Sequence, residues 1–287
     1  MPPTYGGQSM VTPLRRVLVK RPDTAFGDAD PATWHYAAPI DLARAQAEHD
    51  ALTDLLRAAG AEVIDHDIPQ PGRADSIFVF DPVLITDRGA IIMQMGKVLR
   101  RGEADAMAAQ LTALDIPILA RLAGDALAES GDMFWLDETT LAVGLGFRTN
   151  AAGVRQIAAA LGPDITVLPV ELPYFTGPAA CLHLLSLISM VDTHTAVVYP
   201  PLMSVPFYQE LQRRKITLIE VPEHEFATQA PNVLALAPGV CLLLRNNSET
   251  RRRLEAAGCE VLTYVGDELS LKAEGGPTCL TRPLLRG

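Results

Sequence analysis

LLRAAGAEVIDHDIP, residues 55–69, carries three signals in one short run. Leu and Ala at helical spacing lead up to Gly60, where a helix C-cap favours positive φ. A β-branched strand follows at once. The same order of parts returns in QLTALDIPILARL (110–122), IAAALGPDITVLPVEL (157–172), ELQRRKITLIEVPE (210–223) and RLEAAGCEVLTYVG (253–266). A recurrence at roughly fifty residues is the scale of a modular fold. Gly162 and Gly258 repeat the role of Gly60.

Hairpin-like pairs lie between these units. SIFVFDPVLIT precedes GAIIMQM, and MFWLDETTLAVGL turns at Asp137-Glu138. LISMVDTHTAVVY turns at Asp192-Thr193, and NVLALAPGVCLLLR turns at Pro238-Gly239. Strand pairs alternating with helices predict an α/β class. The first unit has only RRVLVKR before it, and the last only TCLTRPLL after it. Those two ends are expected to pair and close a ring of five modules. An ordinary α/β sandwich would also use helix–Gly–strand junctions, but it does not require five units with the same order of parts.

The 287 residues are 48% hydrophobic, ample for a core. A formal net charge of -10 disfavours a nucleic-acid surface and is compatible with a cationic small molecule. MPPTYGGQSM lacks the pattern of a secretory signal, and no apolar run reaches the ~18–20 residues of a membrane helix. The expectation is a cytoplasmic protein with reduced thiols and one catalytic domain over residues 1–287. Nothing in the composition opposes a homodimer. Cys181, Cys241 and Cys259 sit in apolar runs and read as core cysteines. PDTAFGDADPATWHYAAP, residues 22–39, is long, irregular and aromatic, and is expected to form a lid.

Polar residues inside apolar runs supply the candidate chemistry. Asp75 and Asp81 flank a strand-like run in ADSIFVFDPVL, and a period of two would put both on one face. Strand-end solvation is the competing reading. Glu129 and Asp132 in AESGDMFWL also fit a solvated acidic turn. Arg148 in GLGFRTNAAG suits carboxylate capture through its planar fork, whereas the dinucleotide glycine spacing fails. His183 in CLHLLSLISMV is either a satisfied core histidine or an acid/base group. Cys181 and His183 have no second pair at zinc spacing, so no metal is expected. Cys279 follows Gly275-Gly276-Pro277-Thr278. The glycines would leave room around a nucleophilic sulfur, although an edge cysteine that packs like serine accounts for the position too.

These pieces, in this order, resemble the guanidine-modifying superfamily of pentein fold. ADSIFVFDPVL, LRRGEAD, ESGD, FRTNAAG, LHL and GGPTC carry the resemblance, which runs over nearly the whole chain and is nearest to the bacterial dimethylarginine dimethylaminohydrolase type. It implies a pentein-type α/β propeller of five ββαβ modules around a central site. It implies Cys279 as nucleophile and His183 as acid/base residue, with Asp81 and Glu129 on the guanidinium. Asp75 would receive the substrate α-amino group, and Arg100 and Arg148 its carboxylate. Phe80, which replaces an acid usual in the family, is expected to shape the pocket, as is the long approach PYFTGPAAC (173–181).

The resemblance further implies cofactor-free hydrolysis of a small cationic guanidino substrate through a covalent thiouronium. Methylated arginine, giving citrulline plus methylamine or dimethylamine, is the first expectation. Arginine deiminase or dihydrolase chemistry on free arginine is the second, with Asp81 favouring arrest at the ureido stage because dihydrolases tend to carry Asn there. An amidinotransferase would need a feature for a second amine substrate. A non-enzymatic pentein would need neither Cys279 nor His183.

Overall fold

The computed structural model describes residues 3–287. Among them the strands form five three-stranded sheets, each built the same way. In one sheet β3 (Val83–Thr86) and β4 (Gly89–Ile92) make an antiparallel hairpin, and β5 (Ile118–Arg121) joins β4 in parallel. The next two follow suit, with β6 (Met133–Asp137), β7 (Thr140–Leu145) and β8 (Thr166–Glu171), then β9 (Ile188–Asp192), β10 (Thr195–Val198) and β11 (Thr217–Glu220). A fourth contains β12 (Leu234–Ala237), β13 (Val240–Leu244) and β14 (Glu260–Tyr264).

The remaining sheet joins the two ends of the chain. β1 (Leu14–Val19) pairs in parallel with β2 (Glu62–Asp65) and antiparallel with β15 (Arg282–Arg286). The ring therefore closes as expected. In this sheet the hairpin of the other four is replaced by two strands from opposite ends.

A helix precedes the parallel strand of every module: α1 (Leu42–Ala58), α2 (Glu103–Ala113), α3 (Ala151–Leu161), α4 (Val205–Arg213) and α5 (Ser248–Ala256). Each lays an apolar stripe on its own sheet. In α1, Leu52 and Leu56 are fully buried, a gain of about 1.5–3 kcal/mol per side chain. The junction after each helix is left-handed in all five modules. Gly60, Gly162 and Gly258 have φ of 90°, 82° and 92°, while Asp115 and Lys215 hold 56° without being glycine. Sequence reading finds the three glycines. It misses the other two because the chain bears the strain there.

Two expectations are corrected. The run before β3 is not a strand: Ala74–Ile77 is a 3-10 turn, and extended pairing begins only at Val83, after Pro82. Asp75 and Asp81 are thus presented by turns and not by a shared strand face. Residues 22–39 are also less irregular than expected. Thr24–Gly27 and Pro31–Trp34 form short helical turns capped by Asp23 and Asp30, and Phe26, Trp34 and Tyr36 are buried. The segment is pinned where Ala37 N–H donates to the Lys272 carbonyl at 2.8 Å.

The junction predicts a stability pattern. Lys215 and Asp115 are exposed, so Lys215→Gly and Asp115→Gly should each raise stability by up to about 1 kcal/mol through relief of the left-handed penalty. A β-carbon at Gly258 meets nothing within 4 Å, so Gly258→Ala should cost about 1 kcal/mol for purely conformational reasons. Urea denaturation of the three variants checks both signs.

Candidate active site

The approach to the first strand of each module points a polar side chain inward. Asp81 precedes β3, Glu129 precedes β6, His183 precedes β9, Asn232 precedes β12 and Cys279 precedes β15. The repeat that builds the ring also builds the site, one residue per module. Asp75, Asp81, Arg100, Arg148, His183 and Cys279 line one cavity of about 270 Å³, together with Trp34, Lys97, Cys181 and Gly275.

His183 is almost fully buried, and its Nε2 donates to Glu129 at 2.7 Å. Burial disfavours the imidazolium, but the neighbouring Cys181 and the carboxylates of Asp81 and Asp132 outweigh it and hold the pKa well above the usual histidine value. Burial likewise opposes charge on Glu129. The His183 hydrogen bond and the charges of His183, Arg148 and Arg100 reverse that, and its carboxyl lies below the ordinary range. Both directions favour the carboxylate–imidazolium form of the pair. His183 Nδ1 lies 3.9 Å from Asp81 and 3.7 Å from the Cys181 sulfur.

Gly131 permits this arrangement. A β-carbon there would stand 2.3 Å from His183 Nδ1 and 2.7 Å from Asp81 Oδ1. Its N–H donates to Asp81 at 3.0 Å. Asp132 is fully buried, as is Glu129, so the solvated acidic turn is excluded. Asp132 accepts from Thr149 Oγ1 at 2.6 Å and from Leu184 N–H at 3.0 Å. It thereby ties the loop of Arg148 to the turn of His183. Burial pushes its carboxyl up to about 6.

Cys279 sits in the cavity wall, and Asn232 Nδ2 donates to its sulfur at 3.2 Å. Burial and the charge of Asp81 push the thiol up to about 12, against the opposing pull of His183. The resting cysteine is a thiol. The glycines before it make room for neighbouring side chains, and Gly275 also lines the cavity. A β-carbon on Gly275 would lie 2.1 Å from the Phe78 ring, and one on Gly276 would lie 2.6 Å from the Asn232 amide.

The structure relocates several expected residues. Glu129 is behind His183 and off the cavity wall. Arg100 faces the cavity, but its fork is committed to Glu103 at 2.8–3.1 Å, to the Phe78 carbonyl at 3.0 Å and to Asp81. Arg148 is the less engaged cation, 3.6 Å from Glu129 and 3.5 Å from the Ala180 carbonyl. Phe80 does not line this cavity. Its ring packs with Phe134 and Leu184 in the apolar centre, with the Arg282 guanidinium 3.5 Å above it. Asp81 faces the site, and its neighbour Phe80 packs into the core. Cys181 is exposed in the cavity and is not a core cysteine, whereas Cys241 and Cys259 are buried. From the 173–181 approach, Thr176, Ala179, Ala180 and Cys181 reach the cavity wall.

Asp81, Glu129 and His183 bring donor atoms within 4.8 Å of one another, a spacing that a metal ion could use. Their lone pairs are already committed to Arg100, to Lys97 and Gly131 N–H groups and to the His183–Glu129 hydrogen bond. No helix of the described residues is long and apolar enough to cross a membrane.

The family model for eukaryotic N,N dimethylarginine dimethylhydrolase matches residues 17–286. The chain belongs to this family. It is a hydrolase of the kind that opens C–N bonds in amidines. It is 31% identical over 186 residues to the arginine deiminase of Mycobacterium avium, and the match spans 55% of this chain and 46% of the deiminase. An uncharacterized Bacillus subtilis protein is 26% identical over 86% of this chain and 82% of its own length. In fold, the chain resembles a dimethylarginine dimethylaminohydrolase from Pseudomonas aeruginosa, solved with citrulline, at a TM-score of 0.78 and 23% identity over 94% of this chain and 98% of that one. It also resembles the N-terminal domain of a cyanobacterial arginine dihydrolase bound to product, at a TM-score of 0.80 and 20% identity over 94% and 97%.

Two measurements check this geometry. Gly131→Ala should destabilise by about 1–3 kcal/mol, since two buried polar side chains must move. The His183 imidazole, followed by NMR, should stay protonated through pH 7. Glu129→Gln should lower its pKa, because the carboxylate 2.7 Å from Nε2 loses its charge.

Proposed function

We propose that this hydrolase opens the guanidino C–N bond of an arginine-like substrate, with Cys279 as nucleophile. Methylated arginine, giving citrulline plus methylamine or dimethylamine, is the leading case for the leaving group. One observation carries the reading. Asp81, His183 and Cys279, from three different modules, share one buried cavity.

The roles follow from charge. The carboxylate of Asp81 takes the guanidinium N–H groups by charge-assisted hydrogen bonds. The arriving cation stabilises a thiolate beside it, and only then does Cys279 release its proton, which passes to solvent because His183 is already protonated. The sulfur attacks the guanidino carbon. The His183 imidazolium, backed by Glu129, protonates the departing amine and leaves a thiouronium. Neutral His183 takes a proton from water. The resulting hydroxide adds to the carbon, the C–S bond breaks, and a ureido product departs. Arg148 holds the substrate carboxylate, and Arg100 fixes Asp81 from behind. Residues 22–39, with Trp34 and His35 at the cavity, cover the site from water.

Free arginine, giving citrulline and ammonia, is the second reading, favoured by the sequence similarity to arginine deiminases.

Because the thiol is pushed up to about 12, it is protonated below that pH, and its thiolate fraction rises tenfold per pH unit through the neutral range. Iodoacetamide should therefore label Cys279 about ten times faster at pH 9 than at pH 8. The cation 2-chloroacetamidine should label it much faster than iodoacetamide at pH 7, through Asp81. Peptide mapping should find the 2-chloroacetamidine adduct on Cys279, lost in Cys279→Ser and distinct from any label on the exposed Cys181. No adduct, together with unchanged turnover of guanidines by Cys279→Ser, would sink the nucleophile assignment.

A further inference from the structure

The end of the cavity away from Cys279 is built for a different tail from that of an α-amino acid. Asp75 is the acid placed to receive an α-ammonium, and it is already engaged. Lys97 Nζ donates to its Oδ2 at 2.6 Å, and Tyr36 OH donates to its Oδ1 at 2.8 Å. The Asp75 and Lys97 side chains are only 7% and 15% exposed, so this pair is not screened as a surface ion pair would be. Lys97 is held in place as well. Its ammonium donates to the Trp34 carbonyl at 3.3 Å and stands 5.1 Å from the Trp34 ring.

The other charges at this end do not restore an ammonium site. Arg148 is a cation, and the Arg100 fork is already saturated. Glu274 lies at the rim, exposed in part, and Lys97 is one of its charged neighbours. An incoming α-ammonium would have to share Asp75 with Lys97 and Tyr36, which sets two like charges side by side in a largely buried space. A carboxylate alone meets Lys97 and Arg148, two cations with donors to offer.

Resting on the guanidine-hydrolase reading above, and narrowing its substrate away from the α-amino acids named there, we infer that Lys97 is a specificity-determining residue and that the cavity prefers ω-guanidino carboxylates lacking an α-amino group. The reaction balances without further partners. The guanidinium group and one water give a ureido carboxylate and one ammonium ion, or a methylammonium ion if the guanidine is methylated. The chain preceding this step would then be a deaminated relative of arginine.

The matched probes are 5-guanidinopentanoate, which is arginine without its α-amino group, arginine itself, and agmatine, which keeps an amine-derived tail without carboxylate. Calorimetric binding to Cys279→Ser should rank 5-guanidinopentanoate at least about tenfold tighter than arginine, with agmatine weakest. Adding Lys97→Met should erase or invert the preference. The neutral pair Asp75→Asn/Lys97→Met leaves no buried charge unpartnered, guards against misfolding, and should also erase it. Arginine binding as tightly as its des-amino analogue, or a preference unchanged by both Lys97 variants, overturns the inference. So does Asp75→Asn weakening arginine tenfold while sparing 5-guanidinopentanoate, since Asp75 would then be the ammonium acceptor. Absence of ureido product from every guanidine, with the binding preference intact, would count against the hydrolase reading and leave the tail selectivity standing.

Discussion

Pairing between Leu14–Val19 and Arg282–Arg286 is the constraint on which the molecule depends. Four sheets are completed by residues close in sequence. The fifth is completed only when the two ends meet, and that meeting sets the position of Cys279 relative to the other modules. Two buried arginines of β15 fasten the closure across the ring. Arg282 Nη2 donates to the Phe80 carbonyl at 2.6 Å, and Arg286 donates to the carbonyls of Thr12 and Ala235 at 2.7 and 2.8 Å. Carbonyl oxygens from distant segments thus take the place of carboxylate partners. Each bond to a charged donor contributes more than a neutral one.

Ring closure brings charged groups together that could not be buried singly. An isolated buried carboxylate costs several kcal/mol, so Asp81, Glu129 and Asp132 persist only because each has fixed donors. Those donors are mostly backbone N–H groups and side chains of neighbouring modules. The site is therefore arranged before any ligand arrives, and a planar cation meets dipoles that need not reorganise. Gly131 is the smallest part of this arrangement and the least replaceable, since the volume of one methyl group separates His183 from Asp81.

Much of this was legible in the sequence because repetition is a strong signal. Five helix–turn–strand units fixed the modules, and the unmatched ends implied the closure. The same logic extended one step further finds Asn232. Glu129 and His183 are 54 residues apart, Asn232 and Cys279 are 47 apart, and each precedes the first strand of its module. What was not legible depended on direction. The run from Asp75 to Asp81 has strand-like composition, yet a 3-10 turn and Pro82 delay the strand and send Phe80 into the core. Cys181 sits in apolar company in sequence and in solvent in space. Lys97 is an ordinary surface residue by type, and only the fold brings it to Asp75. Gly275 and Gly276 are expected to leave room around the sulfur, and side chains of Phe78 and Asn232 take that room.

The closing sheet also dictates how the chain must reach its native state. A β1–β2 pair can form before the rest of the chain, because residues 20–61 alone link those strands. The other edge of β1 stays open until residues 282–286 have been made, and an open strand edge invites foreign pairing. Contacts so distant in sequence fold slowly, since loop closure must be met before they stabilise anything. Reactive sulfur and finished cavity thus emerge together in a late step of high contact order, and an incompletely folded chain presents its thiol without the acids that direct it.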